Sequence, residues 1–394
     1  MASRLLQMIV ISEPPRVEER EERSPAISDV AFERRGLALS WKRSLVVLAL
    51  SVVVAHAGTG CGQEESGEGS DSQGGSASDA GSASDAGSLV VYSGRNEELV
   101  GPIIERFEEE SRIDVEVRYG DTAELAATIL EEDANSPADV FLSQDAGALG
   151  AVADRGLLSP LSGDVLERVE ERFRDPDGRW VGVSGRARVV AYNTEALGAE
   201  DLPNSILEFT DPEWEGRLGW APTNGSFQAF VTALRLIEGE EAAREWLEGI
   251  EANDPREYEN NLAVLQGVAS GEIEAGFVNH YYLFQLQEEG GGDVPANNYY
   301  FRNGDPGALV NVAGVGILGT SDNAPETGEL LDFLLSEEAQ QYFADETFEY
   351  PLVAGIPTNE ELVPLSEIET PNIDLSNLDD LEGTLELLRE TGVL

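Results

Sequence analysis

Two tyrosines stand side by side in the run Val278-Asn279-His280-Tyr281-Tyr282. A phenolate oxygen is a hard anionic donor, suited to Fe(III) rather than to metals that favour sulfur or neutral nitrogen. A free phenol titrates near pH 10, so only a strongly charged cation would remove both protons at neutral pH. The pair follows a helical pattern over residues 262–271 and an apolar strand pattern over residues 273–278. That placing puts it at a strand end, where neighbouring side chains point to opposite faces. One ring would then be core and the other an amphipathic surface residue. A second pair, Tyr299-Tyr300, shows that the dipeptide alone is not diagnostic.

Other chemistries find little material. Cys61 is the single cysteine, which rules out an intramolecular disulfide, a redox dithiol and a cysteine-based metal centre. Beyond Cys61 the only histidine is His280, too few imidazoles for a zinc centre built on several of them. An exported hydrolase would need a positioned base, usually His, with a Ser or Cys nucleophile in reach. No Gly-x-Ser-x-Gly elbow accompanies His280. The chemistry left open is binding through oxygen, either of a metal or of an anionic organic solute.

Elements that would position the tyrosines follow from periodicity. Leu89–Ser93 is a buried strand, and Val100, Ile103, Ile104 and Phe107 mark one helical face. Ile113, Val115 and Val117 alternate as a second strand, residues 125–132 are helical, and residues 138–142 form a third strand before Ser143-Gln144-Asp145. This βαβαβ order predicts an α/β doubly wound sheet with ligands beyond the carboxyl ends of its strands. Arg95-Asn96 and Gln144 fall at that edge. A second unit begins near Arg188, with strands at 189–192 and 217–222 and a turn, Thr223-Asn224-Gly225-Ser226, opening a helix to about Leu236. Such a turn offers backbone N–H groups to an anion, or is plain helix capping by Asn224 or Ser226.

These motifs occur in one order: Ser136-Pro137-Ala138-Asp139-Val140-Phe141, Ser184-Gly185-Arg186-Ala187-Arg188-Val189-Val190, Pro222-Thr223-Asn224-Gly225-Ser226-Phe227, Asn279-His280-Tyr281-Tyr282 and Asp305-Pro306-Gly307-Ala308-Leu309-Val310. Together they resemble the ferric-ion-binding proteins of bacterial ABC importers, from about Leu89 to the C-terminus. The resemblance implies a two-lobed α/β periplasmic-binding-protein fold of type II, with Fe(III) held in the cleft by adjacent tyrosinates, here Tyr281 and Tyr282. It implies a synergistic anion, carbonate or phosphate, on Arg186, Asn224, Gly225, Ser226, Asn261 and Asn279. Where the family often has a histidine and a glutamate, this chain has Asn96 and Gln144, neutral amides that are weaker donors to Fe(III). With no carboxylate there, an exogenous anion becomes more necessary. Some relatives add a third tyrosine in the helix opening, a neighbourhood that Phe227 occupies here. The implied partners are an ABC permease and its ATPase, and the protein is expected to be a monomer and not an enzyme. A receptor for a sugar phosphate or an iron chelate in the same cleft is the alternative.

The net charge is −51, from 76 acidic and 25 basic residues, and Lys42 is the only lysine. Residues 1–60 carry 8 of the basic and 7 of the acidic residues, which leaves 17 against 69 in the rest. Such a surface repels itself at low salt and is screened at about 1 M, where the Debye length is about 3 Å. Without a basic stripe, nucleic acid is not an expected partner.

Trp41-Lys42-Arg43, the apolar run 45–55 and Gly58-Thr59-Gly60-Cys61 read as an export signal. The apolar run falls short of the ~20 residues of a membrane span. Cys61 after small residues resembles the lipobox of bacterial lipoproteins, where the cysteine is lipidated, although Gly58 stands where Leu or Val is usual. Cleavage near Ala57 as an ordinary signal peptide is the other reading. Arg34-Arg35 raises a twin-arginine route. Residues 62–88 contain no apolar side chain larger than alanine and include the hexamer Ala-Ser-Asp-Ala-Gly-Ser in tandem at 77–82 and 83–88. They cannot bury a core, and read as a leash of roughly 30 Å reach. The expected layout is 1–60 extension and export signal, 61–88 anchor and linker, and 89–394 solute-binding domain. Within the last, one lobe takes about 89–186 and 311–361, the other about 187–310 and 362–394. The protein is expected outside the cytoplasm, touching the membrane only through its lipid.

Overall fold

Leu89, Val91 and Tyr92 lie in an apolar run buried on both sides, the pattern of a central strand in a helix-covered sheet. The computed structural model describes residues 87–290 and 292–394, all within one compact unit. Cys61, the export signal and the linker up to residue 86 lie outside the described residues. Among the described residues ten strands are formed: β1 (Ser88–Ser93), β2 (Asp114–Tyr119), β3 (Val140–Ser143), β4 (Val181–Asn193), β5 (Leu218–Trp220), β6 (Arg256–Glu257), β7 (Ala275–Asn279), β8 (Ala296–Tyr299), β9 (Val310–Ile317) and β10 (Tyr350–Pro351). Their order is β2-β1-β3-β9-β4-β7-β5-β6, with β8 and β10 also pairing with β4.

In the first lobe β1 runs parallel to β2 and β3, through the helices Glu97–Ser111 and Thr122–Glu132. Val100, Ile103, Ile104 and Phe107 form the buried face of the first helix, as the 3.6-residue spacing predicts. The edge strand β2 alternates exposed and half-buried positions. In the second lobe, β5 is parallel to β6 and β7 over a core of aromatic rings that includes Phe209, Phe227, Phe230, Trp246 and Phe277.

Strand β4 joins the two. All 13 of its residues are buried. Val181–Ala187 pairs with β9, whereas Arg188–Tyr192 pairs with β7. The change of partner falls between Ala187 and Arg188, and Arg186 sits opposite Asn311 on β9. The C-terminal segment touches both lobes. Its turn Leu375–Asp379 packs on the helix Ala146–Asp154, where Gly147 and Gly150 leave the space that carbonyls of Leu378 and Ser376 occupy. The helix Leu381–Glu390 then lies on the helix Gly225–Glu238, joined by Thr384 to Thr232 at 2.7 Å and Arg235 to Asp380 at 2.9 Å.

One local expectation needs correction. Tyr281 and Tyr282 do not end a strand with their rings on opposite faces. Strand β7 stops at Asn279, and the tyrosines open the helix Tyr281–Gly290. The turn into that helix is fixed by His280, wholly buried. Its N–H donates to the Ala187 carbonyl at 3.0 Å, and its Nδ1 accepts from the Ala187 N–H at 3.2 Å. Its ring stacks on Tyr350 at 4.6 Å. A run that looks like a continuing strand is cut short because β4 takes both backbone and side-chain bonds of one residue.

Candidate functional site

Helical placement brings the two phenol rings to one side. Their centroids are 4.3 Å apart at 31°. Burial, then the neighbouring Tyr281, pushes the Tyr282 hydroxyl well above the usual phenol range, against a smaller opposite pull from Arg186 and Arg95. His280 beside them is driven down to about 3 by burial, so at neutral pH it is an uncharged clamp.

The cleft between the lobes holds a cavity of about 690 Å³. Asn96 and Gln144 line it from the first lobe, and Asn224, Gly225, Ser226 and Asn279 from the second. Arg95, Arg186 and Arg188 line it as well, and each is at most 3% exposed. Tyr281 and Tyr282 are not among its lining residues. They are tied to it through charge, because ionised phenols there would favour the charged forms of Arg186 and Arg188.

The turn Asn224-Gly225-Ser226 opens the helix Gly225–Glu238, and Arg188 is bonded against it. Arg188 Nη1 donates to Asn261 Oδ1 at 3.3 Å and, more loosely, to Ser226 Oγ and Asn279 Oδ1 at 3.5 Å each, while Nη2 donates to the Phe277 carbonyl at 3.0 Å. Its guanidinium lies over Phe227 and Phe230, 5.7 and 5.6 Å from their centroids. Burial lowers its pKa to about 9, which still leaves it charged at pH 7. Asn224 Oδ1 accepts from Ser226 N–H at 3.0 Å and Asn261 Nδ2 at 2.9 Å, so helix capping and site geometry are the same contact. Asn261 is 1% exposed and buttresses the turn from behind, outside the cavity lining. Phe227 is core.

Arg186 faces the other wall. Its Nε is 3.8 Å from Glu349 Oε1, and Glu349 accepts two bonds from Arg95 Nη2 at 2.9 and 2.8 Å. Burial, then Arg95, lowers the Arg186 pKa, while Tyr281, Glu349 and Asp145 favour its charge. Asn96 is exposed and caps no N–H with its side chain. Gln144 is half-buried and uses its backbone N–H on Thr122 Oγ1 at 3.2 Å. Carboxylates of Glu97, Glu98, Asp121 and Asp145 line this wall as well; Asp145 accepts from Ala148 N–H at 3.0 Å, and burial raises its pKa.

Three of these residues had no role assigned from sequence. Arg186 and Arg188 share one face of an apolar strand by its period of two, a spacing that points to Arg188 as readily as to Arg186. Arg95 follows directly on strand β1 and its Gly94 turn, a visible sign. Glu349 carries no sign, since 254 positions separate it from Arg95.

The sequence profile described as bacterial extracellular solute-binding protein matches residues 135–372. The chain is 33% identical over 310 residues to an Fe(3+)-binding periplasmic protein of Serratia marcescens, covering 78% of this chain and 90% of that one. It is 33% identical over 314 residues to iron uptake protein A1 of a Synechocystis strain, covering 77% and 86%. The structure is similar to that of iron-bound HitA from Pseudomonas aeruginosa, with TM-score 0.73 and 35% identity over 78% of this chain and 99% of that one. Lobes joined at β4 and a polar cleft between them agree with these likenesses: the chain belongs to the bacterial extracellular solute-binding protein family.

Proposed function

We propose that this protein is the extracytoplasmic receptor of an ABC importer that takes Fe(III) into its cleft and delivers it to a membrane permease with its ATPase. The observation that carries this is the pair of phenol rings, one buried and one half-buried, in contact at 4.3 Å and coupled through charge to Arg186 and Arg188. Burial and mutual repulsion keep Tyr282 protonated when the site is empty of charge. Fe(III) supplies the opposing charge, and its preference for hard oxygen donors matches phenolate. Loading therefore releases protons from Tyr281 and Tyr282. Among the described residues no three of His, Cys, Asp and Glu converge to hold a metal. Tyrosine and an exogenous anion supply the donors in this reading.

That anion, carbonate or phosphate, sits on Arg188 with the Asn224-Gly225-Ser226 turn. Asn279 lines the same place, and Asn261 holds the turn. Arg186 faces the anion from the opposite wall. Asn96 and Gln144 contribute at most neutral amide oxygens. The lobes close by a hinge at Arg186 and Asn311, facing residues on β4 and β9. Lipidation of Cys61 would tether a monomer to the membrane, and no described helix is long and apolar enough to cross one. Function here is binding and release, without catalysis.

Supplying iron to the apo protein by air oxidation of ferrous chloride in carbonate buffer tests the reading. A tyrosinate-to-Fe(III) charge-transfer colour at one iron per protein is the expected result. Three arginines facing the cleft favour one rival, a receptor for a sugar phosphate. A colourless protein whose Tm rises with a sugar phosphate would establish that rival instead.

A further inference from the structure

We propose that Phe348 and Tyr350 are positioning residues for the tyrosine pair, gripping the start of its helix from the first-lobe sheet. This rests on the reading of the cleft as an iron site. Neither residue lines the cavity, and each acts through a ring beside the tyrosines.

The backbone at Phe348 gives the first sign. Its φ is 55°, in the left-handed region. That conformation suits glycine, and a bulky residue keeps it only where its surroundings hold it there. Phe348 is 3% exposed, and its ring stacks on Phe284 at 5.5 Å and 21°. Phe284 belongs to the helix Tyr281–Gly290, within one turn of Tyr281. Two residues on, Tyr350 is wholly buried and stacks on His280 at 4.6 Å and 18°. His280 and Phe284 bracket Tyr281 and Tyr282 in the chain, so the helix start is held at two points. The Tyr350 hydroxyl has no hydrogen-bond partner among the described residues, which leaves its ring as the working part.

The gripping segment is itself fixed. Between the two rings, Glu349 N–H donates to the Phe343 carbonyl at 2.9 Å, and its carboxylate accepts from Arg95 and from Ser184 Oγ. Tyr350 pairs with Gly185 on β4, where an added Cβ would press on Leu352 at 3.1 Å and Tyr350 at 3.2 Å, so glycine admits the strand. Beyond it, buried Gln340 accepts from Leu352 N–H at 2.8 Å and donates to the Val183 carbonyl at 2.7 Å. A short strand of the first-lobe sheet thus reaches the tyrosine helix beside the point where β4 changes partner. Groups that orient a metal ligand from behind typically change metal affinity by about 10–100-fold when lost. A mere turn makes the opposite forecast: relieving the backbone at 348 would raise Tm and leave iron binding alone.

The test loads parent and variants by air oxidation of ferrous chloride in carbonate buffer, records the charge-transfer band, and titrates the iron away with EDTA. Phe348→Gly keeps the left-handed backbone and drops the ring. Tyr350→Leu drops the second ring, and Tyr350→Phe keeps that ring without its hydroxyl. Circular dichroism and melting curves report the fold of each. Folded Phe348→Gly and Tyr350→Leu should hold iron about 10–100-fold more weakly against EDTA, with a shifted or broadened band. Tyr350→Phe should restore the parent's band and affinity. Phe284→Leu breaks the first stack from the helix side with little change in volume, and decides the matter if neither ring variant folds. The parent's band and affinity in every folded ring variant, whatever their Tm, overturn the proposal. So does a Tyr350→Phe that behaves like Tyr350→Leu. A colourless parent overturns the iron reading beneath it, and the proposal with it.

Discussion

The two walls of the cleft are built on different principles. On the second lobe, Arg188, Asn224, Ser226, Asn261 and Asn279 bond to one another within a few residues of two helix starts and a strand end. That wall is a polar network already tied together before any ligand arrives, with Arg188 Nε alone of its guanidinium nitrogens left unpartnered. On the first lobe, Asn96 is exposed, Gln144 makes no side-chain bond among the described residues, and Arg95 and Arg186 keep unpartnered N–H groups. That wall is charged and incomplete. A preorganised wall captures and an incomplete wall closes, so we expect cargo to bind the second lobe first and to be locked in as the first lobe meets it.

The largest test of this contrast is the tyrosine pair at the junction. Tyr281→Phe or Tyr282→Phe removes one anionic oxygen and keeps the ring. If the tyrosines were only core, the loss would be that of a hydrogen bond, around 1 kcal/mol of stability, with binding untouched. As ligands, their loss should lower Fe(III) affinity by orders of magnitude and abolish or shift the colour, with Tm near that of the parent. Iron titration followed by absorbance, with a melting curve beside it, separates the two. Unchanged iron binding in both variants would remove the iron reading altogether.

Next comes stability at the first-lobe wall. Glu349→Ala strands Arg95 as an uncompensated buried charge, and breaking a buried pair from one side costs about 3–5 kcal/mol. Asn261→Ala, on the networked wall, removes neutral hydrogen bonds and should cost nearer 1 kcal/mol. Urea denaturation of both measures the contrast directly. Equal losses would mean that the walls are not built differently.

A smaller effect concerns pH. His280 has a folded pKa of about 3, below its unfolded value of about 6.5. Between those values the unfolded chain binds the extra proton, so stability rises with pH across that window and falls as pH drops from about 6.5 towards 3. His280→Asn lacks the titrating ring, and its unfolding free energy should fall less steeply over that range than the parent's. Parallel slopes would show that His280 is not held neutral by the clamp on Ala187. Iron should also be lost in acid, through proton competition for the phenolates, and apo protein separates that loss from the folding effect.

How much of this could be read beforehand depends on distance along the chain. The strand and helix order of the first lobe follows from local periodicity, and the Asn224 turn from the residues that cap helices. The helix at Tyr281 was hidden, because Ile273–Val278 reads as a strand without a visible stop; the stop is His280 bonding to Ala187, 93 positions away. Arg188 was legible in its strand spacing with Arg186. The Arg95–Glu349 pair and the C-terminal segment on Gly147 and Gly150 are products of tertiary packing. Neither has a local signature.

The smallest predicted effect is the sharpest check on the contrast. Asn96 lines the cavity and stands where a histidine is common in the family, so a view based on position alone makes it a ligand. Its side chain is exposed and satisfies no N–H of the helix it precedes, so Asn96→Ala should leave Tm nearly unchanged despite the usual value of Asn at a helix start. A neutral amide oxygen offers Fe(III) no charge. If it contributes only a polar contact on closure, its loss is worth about 1 kcal/mol or less, under about tenfold in affinity. Iron titration of Asn96→Ala beside Tyr282→Phe places both on one scale. A loss in Asn96→Ala that rivals the tyrosine variant would make the first-lobe wall a direct ligand donor and erase the division between a wall that captures and a wall that closes.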